Sequence, residues 1–258
     1  MNCASRLGLI FLAAWSSQSA WADHHASGEG NATSNGTVEA AQLTLCALNP
    51  GSTLADAENL IPDIQAFQKQ AGYTPFFGIL TPMFVSPQSK IDFILADFAP
   101  FADLAAAWET FLQSSSGAKV QASIDDVATC TRTLHRYFHQ HTKYVDDMNR
   151  VLSINWCTKN DDVSLENLMA KHRSLAETVS DHIIHWGIAS PAWGIRQGDV
   201  VGEFAHFTGY LDMTAALAEQ QDIAAKGGWK ERSDYFDSYA TCSGENLWRF
   251  DLASMPAL

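Results

Sequence analysis

The chain of 258 residues carries one order of signals twice, over residues 41 to about 138 and again over 150 to about 250. Leu45-Cys46 answers Trp156-Cys157. Phe77-Gly78-Ile79-Leu80-Thr81-Pro82 answers Trp186-Gly187-Ile188-Ala189-Ser190-Pro191. Ala96-Asp97-Phe98 answers Ala205-His206-Phe207, and Ala128-Thr129-Cys130 answers Ala240-Thr241-Cys242. The offset between the copies stays between 109 and 112 residues. An internal repeat constrains the fold more than any local propensity does, because a unit that cannot bury its apolar face alone must stack on its copy.

The N-terminus reads as an export signal over 1–22. Arg6 precedes the apolar run Leu7 to Trp15, and Ala20-Trp21-Ala22 is a small-x-small cleavage site. The run is shorter than the roughly 20 apolar residues a stable span needs, so no membrane anchor is expected. Residues 23–40 read as a flexible Gly/Ser/Asn/Thr-rich leader, 41–141 as the first repeat and 150–258 as the second. The expected location is periplasmic or secreted. A net charge of −13 without clustered Lys and Arg argues against nucleic acid as a partner.

Four cysteines remain beyond the signal. Cys46 and Cys130 are 84 residues apart, and Cys157 and Cys242 are 85 apart. Repeat symmetry selects Cys46–Cys130 and Cys157–Cys242 from the three pairings, and an oxidising compartment preserves them.

Within a copy, strand and helix periods alternate. Gln42–Ala47 alternates as a strand. Thr53 and Asp56 open a helix with Leu60, Ile64 and Phe67 on one face, which Pro62 kinks or restarts. Phe76–Val85 and Ile91–Phe98 form a hairpin, Phe101–Leu112 a second helix and Val127–Phe138 a closing strand. The second copy reads alike: a helix from Ser164, strands near Ile183–Trp193 and Asp199–Phe207, a helix over Leu211–Leu217 and a strand near Tyr239–Phe250. Gly227-Gly228 reads as a turn. Each copy is βαββαβ, the ferredoxin-like unit, and the fold class is α+β. Such a sheet has helices on one face only, so two copies can pack their bare faces together as an intrachain dimeric α/β-barrel. The chain thereby resembles the dimeric α/β-barrel superfamily in tandem form. The aromatic-rich second helix (Phe98, Phe101 and Trp108; Phe207 and Tyr210) is similar to that of the NIPSNAP and stress-responsive barrel groups. The resemblance implies a pocket between the sheet and the helices of a copy. Its members include monooxygenases, haem enzymes and isomerases.

The histidines are the most suggestive polar residues. His185 and His206 fall on neighbouring strands of the second copy and are the candidate acid/base residues, since imidazole titrates near neutrality. Trp186, Trp193, Arg196 and His172 are candidate ligand-binding residues, with His172 on the apolar face of its helix. His135, His139 and His141, all on one side of a strand, are candidate metal ligands. So are Asp23, His24 and His25 at a cleaved terminus, where an amine, amides and imidazole suit copper. There is no G-x-S-x-G, H-E-x-x-H or phosphate-binding glycine loop. The expectation is an exported protein that binds a small-molecule ligand, or a cofactor-independent oxygenase- or isomerase-like enzyme with an aromatic/His pocket in the second repeat. The alternatives are a metal- or haem-binding protein and a ligand-free structural protein. No cofactor is favoured, with haem or copper as the alternatives, and a homo-oligomer stays open.

Overall fold

The computed structural model describes residues 38–256, apart from 88, 144, 146 and 195–201. The expected signal 1–22, the leader up to residue 37, Asp23, His24, His25 and Arg196 lie outside the described residues.

The first half contains β1 (Val38–Leu48), α1 (Leu54–Glu58), α2 (Ile61–Ala71), β2 (Phe76–Phe84), β3 (Phe93–Ala99), α3 (Phe101–Gln113), α4 (Ser115–Val127) and β4 (Ala128–Thr142). The second contains β5 (Asn149–Lys159), α5 (Leu165–Ala176), β6 (Ile183–Trp193), β7 (Phe204–Tyr210), α6 (Met213–Ala225), α7 (Gly228–Ser238) and β8 (Ala240–Ser254). β1 begins inside the segment read as leader. Thr53 and Asp56 form the expected reciprocal cap of α1, and Pro62 sits in the first turn of a restarted helix.

Two helices follow the third strand of each half where the sequence suggested one. Ser114 accepts from the Gly117 amide and starts α4 directly after α3. Gly227, at φ 84°, starts α7, so Gly227-Gly228 opens a helix and is not a turn into a strand. The apolar face of α4, Val120 and Ile124, joins α2 over the sheet.

The eight strands close into one antiparallel barrel in the order β1-β3-β2-β8-β5-β7-β6-β4. Strands of one half lie together (β4-β1-β3-β2, β8-β5-β7-β6) and meet the other half at two seams, β2–β8 and β4–β6. The period of two along each strand then sends alternate residues inward and outward. Leu43, Ile94, Phe98, Tyr137, Ile154, Phe207, Trp248 and Phe250 fill the interior. Outward residues pack under helices: Phe77, Ile79 and Leu95 under α2 and α4, and Trp186, Ile188 and Phe204 with Leu168 and Tyr235 of α5 and α7. Both faces are thus covered, and each buried large apolar side chain contributes roughly 1.5–3 kcal/mol.

The repeated glycine of Phe77-Gly78 and Trp186-Gly187 serves the seams. A Cβ on Gly78 would overlap the Asp251 carbonyl of β8, and one on Gly187 would overlap the Tyr137 ring of β4. Cys46 faces Cys130 and Cys157 faces Cys242 across paired strands, and both disulfides form. No helix among the described residues is long and apolar enough to cross a membrane.

Candidate functional site

The register separates the two candidate acid/base histidines. His206 pairs with Ile188, three residues from His185 along β6. An odd spacing puts the two side chains on opposite faces of the sheet. His206 points outward to the helices, and His185 points into the barrel.

On the outer face, His206 joins Trp186, His172 and Tyr235 of α7, a residue the sequence reading missed. Trp186 Nε1 donates to His206 Nδ1 at 3.1 Å. Indole is a donor only, so neutral His206 carries its proton on Nε2. That atom lies 3.1 Å from the Tyr235 hydroxyl, which lies 2.8 Å from His172 Nε2. The donors therefore run one way, Trp186 to His206 to Tyr235 to His172, and leave the His172 proton on Nδ1. No protein group among the described residues takes that N–H. Burial pushes His206 down to about 3, with His172 and Arg232 adding to it, and burial alone pushes His172 down to about 4. The rings stay neutral near pH 7, so the donor order holds. Burial likewise raises the Tyr235 hydroxyl above its ordinary range. His172 lines a cleft of about 640 Å³ between α5 and the sheet, walled by Phe138, Leu168, Met169 and Phe204 and rimmed by Lys159, Arg173 and Glu203.

Inside the barrel, His185 hydrogen-bonds the Tyr137 hydroxyl through Nε2 and lies 3.1 Å from Thr142 Oγ1 through Nδ1. One ring nitrogen accepts and the other donates. Burial, then His139, Arg150 and His141, push His185 down to about 3. His139 sits 2.9 Å from Glu39. His135 is deeper, 3.0 Å from Thr133 Oγ1 and beside Trp156, and burial pushes it down to about 4. The three β4 histidines do not share one side. A bulge between His139 and His141 turns the strand over, so Thr142, not His141, faces His185. Cys157, His206 and Cys242 do lie within 4.8 Å of one another, but both sulfurs are spent in the disulfide.

Trp193 is 75% exposed and stands away from His172. β6 has crossed the seam to β4 there, and Trp193 borders a first-half cleft of about 620 Å³ with Trp108, Arg132 and Leu134. Below it lies Asp97, also missed. Burial pushes this carboxyl up to about 7 against the opposing influence of Gln42 and Arg132. Its signal was legible: a single acid in the wholly buried run Phe93–Ala99.

No protein-family model and no curated protein matches the sequence. Among solved structures, the chain is similar to a "putative monooxygenase" of Fusobacterium nucleatum (10% identity, TM-score 0.53, 86% of this chain and 96% of that one). It is equally similar to a "putative monooxygenase" of Lactobacillus acidophilus (10% identity, TM-score 0.52, 84% and 95%). At such identity the likeness is one of fold alone, an eight-stranded closed antiparallel barrel with helices packed outside it.

Proposed function

We propose that this protein is an exported, cofactor-independent enzyme of the oxygenase or isomerase kind, built from two tandem ferredoxin-like units. It holds a small, mostly apolar molecule in the α5 cleft. The observation that carries this reading is the one-way donor chain that ends on His172 at an apolar cleft. Each donor in such a chain polarises the next. Its open N–H suits a carbonyl oxygen of the bound molecule and stabilises negative charge that gathers there. His172 touches the substrate, and Tyr235, His206 and Trp186 position it. Two intrachain disulfides suit the oxidising compartment that export provides.

Haem fits these residues poorly. A ligating imidazole needs a free ring nitrogen with an open lone pair, and His172 Nε2 is taken by Tyr235 while Nδ1 carries the proton. The test is fluorescence titration with 2-naphthol, an apolar molecule whose phenolic oxygen can accept the His172 N–H. Wild type is expected to bind saturably. His172→Ala and Tyr235→Phe are expected to weaken binding about tenfold, or 1.4 kcal/mol. Unchanged binding in both variants refutes the reading, and a haem absorption band in the purified protein replaces it.

A further inference from the structure

We infer that the first half holds a second binding site, for a small neutral molecule that presents an N–H donor beside a carbonyl acceptor, an amide or lactam, between Asp97 and Tyr73. A pocket of about 80 Å³ lies between the outer face of β1 and β3 and the helices α2, α3 and α4. One water needs roughly 10–15 Å³ of such space, so there is room for an organic molecule of a few heavy atoms. The pocket opens toward the first-half cleft, because Gln42, Leu104, Trp108 and Arg132 line both.

Two polar groups at its floor lack adequate protein partners. The Tyr73 residue is 6% exposed, and its buried hydroxyl has no hydrogen-bond partner among the described residues. Asp97 is 9% exposed, and its one side-chain hydrogen bond among the described residues is a long one, 3.4 Å from Gln42 Nε2 to Oδ2. A buried polar group without a partner costs about 1–3 kcal/mol, so such groups are normally paired. Here one is a donor and the other an acceptor, and both face one pocket. The rest of the wall is fixed: Trp108 Nε1 donates to Gln42 Oε1 at 2.7 Å, and Arg132 donates to Gln121 at 2.6 Å while lying over the Trp108 ring.

Charge selects the ligand class. Above about pH 7 an anion in this pocket meets the ionised Asp97, and a cation meets Arg132 at any pH. A neutral ligand avoids both penalties. Its N–H reaches a carboxyl oxygen of Asp97, which accepts whether or not the acid holds its proton, its carbonyl accepts from Tyr73, and its apolar body rests on Phe67, Phe77 and Leu104. Among the described residues the second half has no counterpart, since there the corresponding outward position on β7 holds His206, whose partners already satisfy it.

The probe is 2-pyrrolidinone, added to the oxidised mature protein. The reporter is the Trp108 indole N–H resonance, with isobutyrate and isobutylammonium as ionic controls. Saturable shifts with 2-pyrrolidinone, and at least tenfold weaker ones with either ion, are expected. Tyr73→Phe removes a hydroxyl that bonds no described residue, so it should fold and should weaken binding about tenfold or more. His172→Ala should leave the Trp108 response unchanged, which separates this site from the α5 cleft. Binding that survives Tyr73→Phe, an ion that binds as well as the lactam, or the absence of any saturable shift overturns the proposal.

Discussion

Asp97→Asn should make the protein more stable in alkali, and the size of the effect follows from one number. The carboxyl rises from an ordinary 3.8 to about 7 on folding, chiefly through burial. A folded-state value above the unfolded one means that the native state holds a proton the unfolded chain has released. Stability is therefore complete below about pH 4, declines as pH climbs through the interval up to 7, and levels off above it. Each unit is worth 1.36 kcal/mol, so the ionised carboxylate costs the fold about 4 kcal/mol at pH 9, of which about 3 kcal/mol accrues between pH 5 and 9. Asn keeps the shape and an oxygen for Gln42, and it never ionises. Loss of the Arg132 attraction takes back part of the gain at high pH. The assay is urea unfolding of both proteins, disulfides intact, at pH 5, 7 and 9. The stability gap between variant and wild type should widen with pH, and other titrating groups cancel in the comparison. Two curves parallel within about 0.5 kcal/mol would refute the assignment of a buried, proton-holding acid.

The histidines work in the opposite sense. His135 and His172 are buried with values lowered from 6.5 to about 4, so the unfolded chain takes up protons first, and stability present above pH 6.5 is lost toward pH 4. At pH 5 each should cost about 2 kcal/mol, visible as a fall in melting temperature between pH 7 and 5. Cys46→Ala with Cys130→Ala opens a loop of 84 residues and should lower stability by about 2–4 kcal/mol in denaturant titration. Equal stability in the oxidised wild type would contradict that. Gly187→Ala should displace the Tyr137 ring and cost about 1–3 kcal/mol, a typical overpacking penalty. The same change at Gly51, where a Cβ meets no atom within 4 Å, carries only the backbone cost of its positive φ.

The parts of this molecule legible in the sequence are those written in local order. The cysteine spacing selected the pairs that face each other across β1–β4 and β5–β8. Strand alternation and the Thr53 cap marked their elements, and Pro62 marked the restart of α2. The parts that were not legible depend on register. His185 and His206 lie on adjacent strands, yet which of them faces the helices turns on one residue of pairing. The bulge that separates His141 from His139 has no composition signature, since Gln140 resembles its neighbours in polarity. Tyr235 reaches its partners from α7, and Tyr73 enters its pocket from the segment after α2, so no spacing announced them. Asp97 was readable in principle. A lone carboxylate among apolar strand residues must either find a partner or hold a proton, and Gln42 is too distant a partner to spare it.

The two seams close over unequal stretches of chain. β4 meets β6 after a short excursion, whereas β2 must wait for β8, the strand furthest along the sequence. During synthesis the edges of β2 and β5 thus stay open while the other strands already have their neighbours, and an unpaired edge is a template for the wrong chain. The circle is completed by the final strand to emerge, so a chain cut before Ala240 loses the closure itself and leaves two bare edges, on β2 and β5, for another molecule to zip onto.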